Sequence, residues 1–486
     1  MNAKAQLILN DPAYKGVLPA DFAFGSATAS YQVEGAIDAD GKGPCVWDEC
    51  LRNQDNGDLA CDSYHQWKED LKLLKQYGCR VYRFSIAWSR VKPLGGRDDP
   101  INEAGIKYYS DMIDDLLAAG IVPWVTIFHW DHPAALEKRY EGFFNDTEVV
   151  QDFVSYAKLC FDSFGDRVKN WITINEVGHA AKLMTCIAHP GPCEVSENWA
   201  ELCVYFMLTV HDQRFAKSLL LCHARTVDLY RKEYQQRQGG RIGIVYNCDW
   251  VEPVNDSPEA KAAADFAREW VMGFVILGKF PDSVAEYLGD LLPQFTEEEW
   301  SLIKGSTEFF GWNHYGSQYA SGKRLETDNP RLVSFGSIER VFEKDGKVIG
   351  NKGEAGHPYD VPWGFRKLMR YIHNRYTGPA NIPIFITECG FSIDGEANMT
   401  FEERIHDTQR QDYYAGYLKE LLEAVRDDKI DCHGFMAWSL MDNLEWLYGY
   451  GKRFGITAVD MENGCKRTPK DSAALLKTLF DYSIAK

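Results

Sequence analysis

The stretch W-I-T-I-N-E, residues 171–176, decides the fold, because a short run of β-branched and aromatic residues ends there in polar ones. A run of this length and composition, bounded by polar residues, predicts a buried strand. Similar runs recur along the chain and give eight candidate strands in all. These are Phe22–Ser26, Arg80–Ile86, Val122–Phe128, Trp171–Asn175, Ile242–Asn247, Phe309–His314, Ile384–Glu388 and Gly434–Trp438.

Helical patterns lie between the candidate strands. Apolar residues recur at helical spacing in three sets: Tyr64, Trp67, Leu71 and Leu74; Ile106, Tyr109, Ile113 and Leu116; and Leu475, Leu476 and Leu479. Eight almost continuously apolar strands that alternate with helices predict a closed parallel sheet with the helices outside it. We therefore predict an α/β fold, a single (β/α)8 TIM barrel.

A doubly wound open sheet is the alternative fold. Such a sheet usually carries a Gly-rich phosphate-binding turn, but neither a G-x-G-x-x-G nor a Walker A string occurs here. Because no linker, repeat or low-complexity tract divides the chain, we expect residues 1–486 to form one domain, with residues 1–17 as a peripheral N-terminal extension. The surplus length should lie in long βα loops at the C-terminal face, where barrel active sites are built.

The charge balance excludes two classes of partner. Lys and Arg sum to 53 and Asp and Glu to 71, which gives a formal net charge of −18. Proteins that bind nucleic acid or an anionic membrane surface depend on clustered cations, so we expect neither partner. Hydrophobic residues make up 45% of the chain and charged residues 26%, a balance typical of a soluble protein with a large core.

Cysteine usage and the N-terminal residues bear on location. The 13 cysteines include no C-x-x-C pair, which favours reduced thiols over a disulfide framework or a zinc site. The first residues, M-N-A-K-A-Q-L-I-L-N-D, lack the charged segment and apolar core of a secretory signal. We therefore expect a cytoplasmic protein.

Two candidate strands end in a glutamate. The strings T-I-N-E and F-I-T-E place Glu176 and Glu388 at the rim of the predicted barrel. Glycoside hydrolysis requires such a pair, since one carboxyl group protonates the leaving oxygen while the other attacks the sugar or activates water. Because H-E-x-x-H and similar spacings are absent, we expect no metal and no cofactor. A single glutamate at a strand end would be an ordinary solvated residue, and only the pair carries this hypothesis.

Other strand ends carry polar donors and aromatic rings, which would converge on the same face. Arg83 lies within candidate strand two. His129 and Trp130 follow strand three, and Asn313 and Tyr315 lie at the end of strand six. Trp438 ends strand eight, and Glu445 and Trp446 lie beyond it. Aromatic rings offer apolar platforms to the faces of sugars, although they serve equally well as core residues.

These strings resemble glycoside hydrolase family 1, the retaining β-glucosidase family, and their spacing is similar to that of its intracellular fungal-type members. The resemblance runs from F-G-S-A-T-A-S-Y-Q-V-E-G-A, at residues 24–36, through R-F-G-I-T-A-V-D, at 453–460, to the closing K-R-T-P-K-D-S-A. It implies a small carbohydrate as substrate, with Glu176 as acid/base and Glu388 as nucleophile. The protein would be a monomer or a homodimer.

The resemblance also implies roles for the surrounding residues. Arg83, Asn313 and Tyr315 would hold the nucleophile ionised and oriented. Sugar hydroxyls would contact Gln32, His129, Asn175 and Glu445, with Trp130 and Trp446 beside the sugar and Trp438 as its floor. A nearby guanidinium lowers the pKa of a carboxyl group, which suits Glu388, whereas Glu176 needs a less solvated setting and a raised pKa.

The chain departs from the family pattern beside both glutamates. It reads N-E-V-G-H where the family has N-E-P and an aromatic residue, so Val177 and Gly178 stand in their place, and Cys389 follows Glu388 where the family has asparagine. The segment Ala180–Trp199, expected to line the aglycone subsite, also departs. We interpret Cys389 as a packed neutral thiol rather than a redox switch.

A retaining β-glucosidase is the leading hypothesis. A transglycosylase, in which an alcohol replaces water, is an alternative that no residue decides. A sugar-binding pseudoenzyme is another, motivated by Val177, Gly178 and Cys389 but opposed by the retention of both glutamates. A 6-phospho-β-glycosidase is disfavoured, because Glu445 would repel a sugar phosphate.

Overall fold

The computed structural model describes residues 2–181, 210–270, 272–324, 338–354 and 359–486. Eight parallel strands close into a barrel in sequence order, and the last strand pairs with the first. The strands are β1 Ala23–Ala27, β2 Val81–Ser85, β3 Val122–Phe128, β4 Asn170–Ile174, β5 Arg241–Asn247, β6 Phe310–His314, β7 Ile384–Cys389 and β8 Cys432–Trp438. The predicted TIM barrel is confirmed, and each strand coincides with a predicted run to within two residues at either end.

The barrel is a packed core rather than a pore, as its sequence requires. Strands β1, β2, β4, β6 and β7 are buried at every position. Side chains from these strands and from β3 and β8 form a buried cluster that includes Trp124, Ile172, Phe385 and Met436. Because both faces of each strand are covered, the runs read as continuously apolar rather than alternating.

Strand register brings the polar strand ends to one level. Asn247 of β5 pairs with Asn313 of β6, and Asn313 pairs with Glu388 of β7. These side chains therefore meet at the carboxyl end of the barrel, as the parallel arrangement predicts.

One main helix follows each strand on the outside of the barrel. They are α1 Ser63–Gln76, α2 Glu103–Ala118, α3 Glu148–Phe164, α4 Val210–Leu229, α5 Glu297–Ile303, α6 Pro362–Ile372, α7 Thr408–Arg426 and α8 Asp471–Ser483. The three predicted apolar faces lie on α1, α2 and α8. Among the helices that the structure describes, none has the length and apolar character to cross a membrane.

The connecting segments carry the remaining elements. Short helices span Ala3–Leu9, Ser30–Val33, Val46–Cys50, Trp88–Val91, Ala134–Tyr140, Gln235–Gln238, Pro258–Glu269, Phe274–Leu277, Asp282–Leu288, Gly378–Ala380 and Phe401–Ile405. Strands outside the barrel are Trp250–Pro253, Ser317–Arg324 and Ile338–Val341 in one sheet, Glu343–Lys344 with Lys347–Val348, and Thr457–Asp460 with Lys466–Pro469. The N-terminal helix buries Ala5 and Ile8.

Candidate active site

Two glutamates face each other across the carboxyl end of the barrel. Glu388 belongs to β7, and Glu176 lies two residues beyond the end of β4, where its backbone N–H donates to the carbonyl of Val245 at 3.0 Å. Both side chains are buried. Glu176 has a φ of 49°, in the left-handed region that non-glycine residues rarely adopt. The surrounding packing therefore stabilises an unfavourable backbone conformation.

Glu388 accepts hydrogen bonds from a guanidinium and from a phenol hydroxyl. Arg83 Nη1 donates to Oε1 at 2.6 Å, and Tyr315 Oη donates to Oε2 at 2.5 Å. The guanidinium is itself fixed, because Nε donates to Thr126 Oγ1 at 3.2 Å and Nη1 also donates to the carbonyl of Thr387 at 3.0 Å. The predicted roles of Arg83 and Tyr315 therefore correspond to direct contacts with this carboxyl group.

The pKa of Glu388 reflects two opposing effects. Burial raises it above the ordinary value of a glutamate, and the Arg83 charge together with hydrogen bonds from Tyr315 and Arg83 opposes that rise. Arg83 lowers the pKa of Glu388, as expected from the sequence, but burial raises it by more. Because Arg83 bonds to Glu388 and not to Glu176, Glu388 is the first of the two to ionise.

Glu176 is surrounded by neutral donors. Asn313 Nδ2 donates to its Oε1 at 2.6 Å, and Asn247 Nδ2 donates to the same oxygen at 3.1 Å. Burial, and then the negative charge of Glu388, raise the pKa of Glu176 to about 8. A carboxyl group with this pKa is protonated near neutral pH, which is the state a general acid requires.

Asn313 contacts both glutamates. The resemblance assigns it to the nucleophile, and its Nδ2 also donates to Glu176 Oε1 at 2.6 Å. Its amide carbonyl accepts a hydrogen bond from Thr387 Oγ1 at 2.7 Å, which fixes the amide, and Asn313 also favours the charged form of Glu388. The residue therefore lies between the two glutamates and acts on both.

Asn175 and His129 form the next layer of the site. Asn175 Oδ1 accepts hydrogen bonds from Arg83 Nη2 at 2.6 Å and from Asn313 at 3.1 Å, so its Nδ2 faces His129 Nε2 at 3.2 Å. Burial and the Arg83 charge hold the pKa of His129 well below its usual range, and the imidazole is neutral.

An aromatic cluster lines the other side of the pocket. The His129 ring is stacked with Trp438 at 5.9 Å and with Trp446 at 6.1 Å between centroids, and Trp130 lies 5.0 Å from Trp446. Trp130 Nε1 donates to the carbonyl of Asn175 at 2.9 Å, which ties the rings to the carboxyl pair. The predicted aromatic residues are thus brought together.

Gln32 lies beside the segment that carries Glu445. Its Nε2 donates to the carbonyl of Leu444 at 2.7 Å and to Asn443 Oδ1 at 3.1 Å. Burial raises the pKa of Glu445 to about 8, while Lys452 opposes the rise, Glu388 adds to it, and a hydrogen bond from Gln32 opposes it. Burial also lowers the pKa of Lys452 to about 8, with Glu445 acting against that shift.

The departures from the family pattern are accommodated in the core. Val177 is buried. Cys389 is buried as well, with Sγ 3.4 Å from Tyr413 Oη, and burial raises the pKa of its thiol, which agrees with a packed neutral residue. Of the segment Ala180–Trp199, residues 182–199 lie outside the described residues.

Several residues of the site were missed at the level of sequence. Thr126 and Thr387 orient Arg83 and Asn313, and Asn247 donates to Glu176. Asn247 closes a predicted strand, so reading every strand end in the same way would have found it. Within the part of the chain that the structure describes, no cluster of three or more His, Cys, Asp and Glu residues could hold a metal ion.

Comparisons with known proteins point the same way as the geometry. Residues 14–483 match glycosyl hydrolase family 1. The curated β-glucosidase 1B of Phanerodontia chrysosporium is 42% identical over 491 aligned residues, which cover 96% of this chain and 86% of that protein.

The fold is also similar to solved structures of β-glucosidases. The crystal structure of the β-glucosidase from Trichoderma harzianum superposes with a TM-score of 0.87 at 39% identity, and covers 97% of this chain and 99% of that chain. A mutant rice β-glucosidase in a covalent complex with glucose superposes with a TM-score of 0.86 at 36% identity, over 95% of this chain and 98% of that chain.

Proposed function

The chain belongs to glycosyl hydrolase family 1, and on that premise we propose that it is a retaining β-glucosidase. It hydrolyses terminal non-reducing β-D-glucosyl residues of short oligosaccharides or of aryl and alkyl glucosides. The observation that carries this proposal is the contrast between the two glutamates. Glu388 is paired with Arg83 at 2.6 Å, whereas Glu176 accepts from neutral amides and has a pKa of about 8.

The first step transfers the sugar to Glu388. A carboxylate oxygen of Glu388 bonds to the anomeric carbon, the bond from that carbon to the leaving oxygen breaks, and Glu176 gives its proton to that oxygen. Arg83 and Tyr315 keep Glu388 ionised for the attack. A covalent sugar complex is what the rice relative's structure contains, which supports such an intermediate here.

The second step returns the enzyme to its starting state. Esterification removes the negative charge of Glu388, the second of the two causes that raise the pKa of Glu176 after burial, so the pKa of Glu176 falls and its carboxylate is easier to maintain. It takes a proton from water, the water oxygen bonds to the anomeric carbon, and the ester bond to Glu388 breaks. Two displacements on opposite faces leave the product in the β configuration.

Within the pocket we assign the remaining predicted residues to the sugar. Gln32 and Glu445, held side by side, would bind its hydroxyl groups, with His129 and Asn175 as further contacts. The rings of Trp130, Trp438 and Trp446 would pack against its apolar face. The pseudoenzyme is not favoured, because Glu176 has the raised pKa of a general acid and Glu388 is paired with Arg83. The transglycosylase is not favoured, because the relatives are β-glucosidases.

The test combines stereochemistry with rescue of the nucleophile. Proton NMR of aryl β-glucoside hydrolysis should show β-glucose before mutarotation. Glu388→Gly should abolish turnover, and azide should restore it with α-glucosyl azide as product, since the anion occupies the face that the carboxylate leaves. Initial α-glucose, or β-azide from the Glu388 variant, would overturn the proposal.

We also propose that the protein is cytoplasmic and is a monomer or a homodimer. None of the ten described cysteines forms a disulfide, which supports a reducing compartment. Cell fractionation tests the location, and light scattering after gel filtration tests the oligomeric state.

A further inference from the structure

His179 stands next to the carboxyl group of Glu176. After Glu176 the chain makes one helical turn, in which the N–H of Ala180 donates to the carbonyl of Glu176 at 2.8 Å. This turn brings His179 Nδ1 to 3.6 Å from Glu176 Oε2. The side chain of His179 is 45% exposed and that of Glu176 only 5%, so the imidazole lies between a buried acid and solvent.

The two oxygens of Glu176 are not equivalent. Both amide donors, from Asn313 and Asn247, bond to Oε1. An oxygen that accepts two N–H groups is the carbonyl oxygen of a neutral carboxyl group, so the proton is on Oε2. The oxygen that must protonate the leaving group is therefore the one that faces His179.

The distance is too long for a hydrogen bond in the resting enzyme, yet short enough for an ion pair. Catalytic contacts are often long in the absence of substrate and shorten when charge develops. When Oε2 loses its proton to the leaving oxygen, a negative charge appears 3.6 Å from an imidazole nitrogen. Shortening of this contact as the charge develops would then bring Nδ1–H within hydrogen-bond distance of Oε2.

We propose that His179 is a positioning residue that stabilises the negative charge on Oε2 of Glu176 once its proton has passed to the leaving group. This role rests on the proposed function of Glu176 as the acid/base. It makes Glu176 a stronger acid than burial alone would allow, and so favours substrates whose leaving group needs protonation. The residue arises from the N-E-V-G-H string, in which this chain departs from its family.

Other groups around Glu176 also shift its pKa, some upward and some downward. Glu388 raises its pKa, whereas Arg83 and the amides of Asn313 and Asn247 lower it. A permanent cation at position 179 would lower the pKa of Glu176 further. An uncharged residue there would remove the stabilisation of the Glu176 carboxylate by the imidazole.

The test compares His179→Ala with His179→Arg. We expect the alkaline limb of the pH profile of kcat/KM to lie at lower pH in the arginine variant, by roughly 0.5 to 1 unit, because a nearby cation favours ionised Glu176 but is partly screened by solvent. His179→Ala should lower kcat/KM for methyl glucoside roughly threefold to tenfold, while dinitrophenyl glucoside, which needs little protonation, should hardly change. His179→Gln, of similar size and uncharged, should behave as His179→Ala.

Matched controls separate this effect from a general change of charge. His433 lies at the amino end of β8, with Nε2 2.7 Å from Asp431 Oδ1 and with 38% of its side chain exposed. His433→Ala and His433→Arg should leave the alkaline limb in place. An alkaline limb at the same pH in His179→Ala and His179→Arg would overturn the proposal.

A measurement without substrate distinguishes this inference from the proposed function. The ¹³C signal of the Glu176 carboxyl group, assigned by its loss in Glu176→Gln, should titrate at lower pH in His179→Arg than in His179→Ala. Equal titration would overturn the role of His179. A difference in titration in a protein that hydrolyses no glucoside would retain the pair and overturn the proposed function instead.

Discussion

At the scale of single residues, the site depends on a difference between two chemically identical side chains. Glu388 is bonded to a guanidinium, and Glu176 to two amides. Burial raises the pKa of both carboxyl groups, so burial alone does not separate their roles. Arg83, a charged donor, lowers the cost of ionising Glu388, and the resulting negative charge raises the cost of ionising Glu176.

The leaving group should report on Glu176 directly. Glu176→Gln should reduce kcat/KM about 10²- to 10⁴-fold for methyl or phenyl glucosides, the usual contribution of a general acid. Dinitrophenyl glucoside should lose far less in its first step, because that phenol departs without protonation. The measurement is a series of aryl glucosides ordered by leaving-group pKa, and equal losses across the series would show that Glu176 is not the acid.

Glu445 should report on sugar recognition. Glu445→Ala should reduce kcat/KM for glucosides by several orders of magnitude, because a site that loses its partner for a substrate hydroxyl leaves buried polar groups unpaired. The fold should be unchanged, which circular dichroism and the Tm would check. Glu462 is exposed and outside the barrel mouth, so Glu462→Ala is the control. Nearly unchanged activity in the Glu445 variant would place that residue outside the sugar subsite.

At the scale of elements, the sequence was sufficient for the barrel but not for its loops. Strand β3, Val122–Phe128, begins and ends at the predicted residues, because a mainly apolar run of β-branched and aromatic residues that ends at His129 fits a strand buried on both faces. The strands Trp250–Pro253 and Ile338–Val341 were not predicted. They are short and of mixed burial, and their pairing depends on the tertiary contacts of loops rather than on a local pattern.

In the site as well, some features could be predicted from the local sequence and others depend on tertiary contacts. Glu176 and Glu388 could be predicted because each stands at or near a strand end, where topology directs side chains to one place. Arg83 lies in the middle of β2 and was found as a charged residue within an apolar strand. The hydrogen bonds of Asn313 could not, since they follow from the register between β6 and β7. The contact of His179 with Glu176 depends on a single turn of backbone that begins at a left-handed residue, and no periodic pattern encodes it.

A buried ion network connects the last elements of the chain to the active-site loop. Lys470 directly precedes α8, and its Nζ donates to Asp442 Oδ1 at 2.8 Å and to Glu396 Oε1 at 2.9 Å. Asp442 lies three residues before Glu445. Arg410 of α7 completes the network, with Nη2 2.6 Å from Glu396 Oε2. All of these side chains are almost fully buried.

Lys470→Met should therefore destabilise the protein strongly. Removing one partner of a buried network leaves uncompensated charge, which costs about 3–5 kcal/mol of unfolding free energy. Lys477→Met is the matched control, because Lys477 of α8 forms an exposed pair with Asp481, and such pairs contribute about 0.5 kcal/mol or less. Urea unfolding measures both variants. Similar losses in the two would show that the buried network adds no more than a surface pair.

At the scale of the whole molecule, the active site affects stability as well as catalysis. A glutamate in an unfolded chain has a pKa of about 4.3, whereas folding raises the pKa of Glu176 to about 8. Between these values the folded state holds a proton that the unfolded state has released. The contribution of Glu176 to the unfolding free energy therefore falls as pH rises through this window, and above pH 8 its full unfavourable contribution is present.

Glu176→Gln removes that cost, because glutamine resembles the protonated acid in shape and does not ionise. At pH 5, which is only slightly above the pKa of the unfolded glutamate, most of that cost has not yet developed, so wild type and variant should have closely similar Tm values. At pH 9 the variant should melt roughly 2 °C or more above wild type, since about 1 kcal/mol moves the Tm of a chain of this size by roughly 1 °C. Differential scanning calorimetry at the two pH values decides the point. A Tm difference that is the same at both would mean that Glu176 is not protonated by folding, and its assignment as the acid would lose its electrostatic basis.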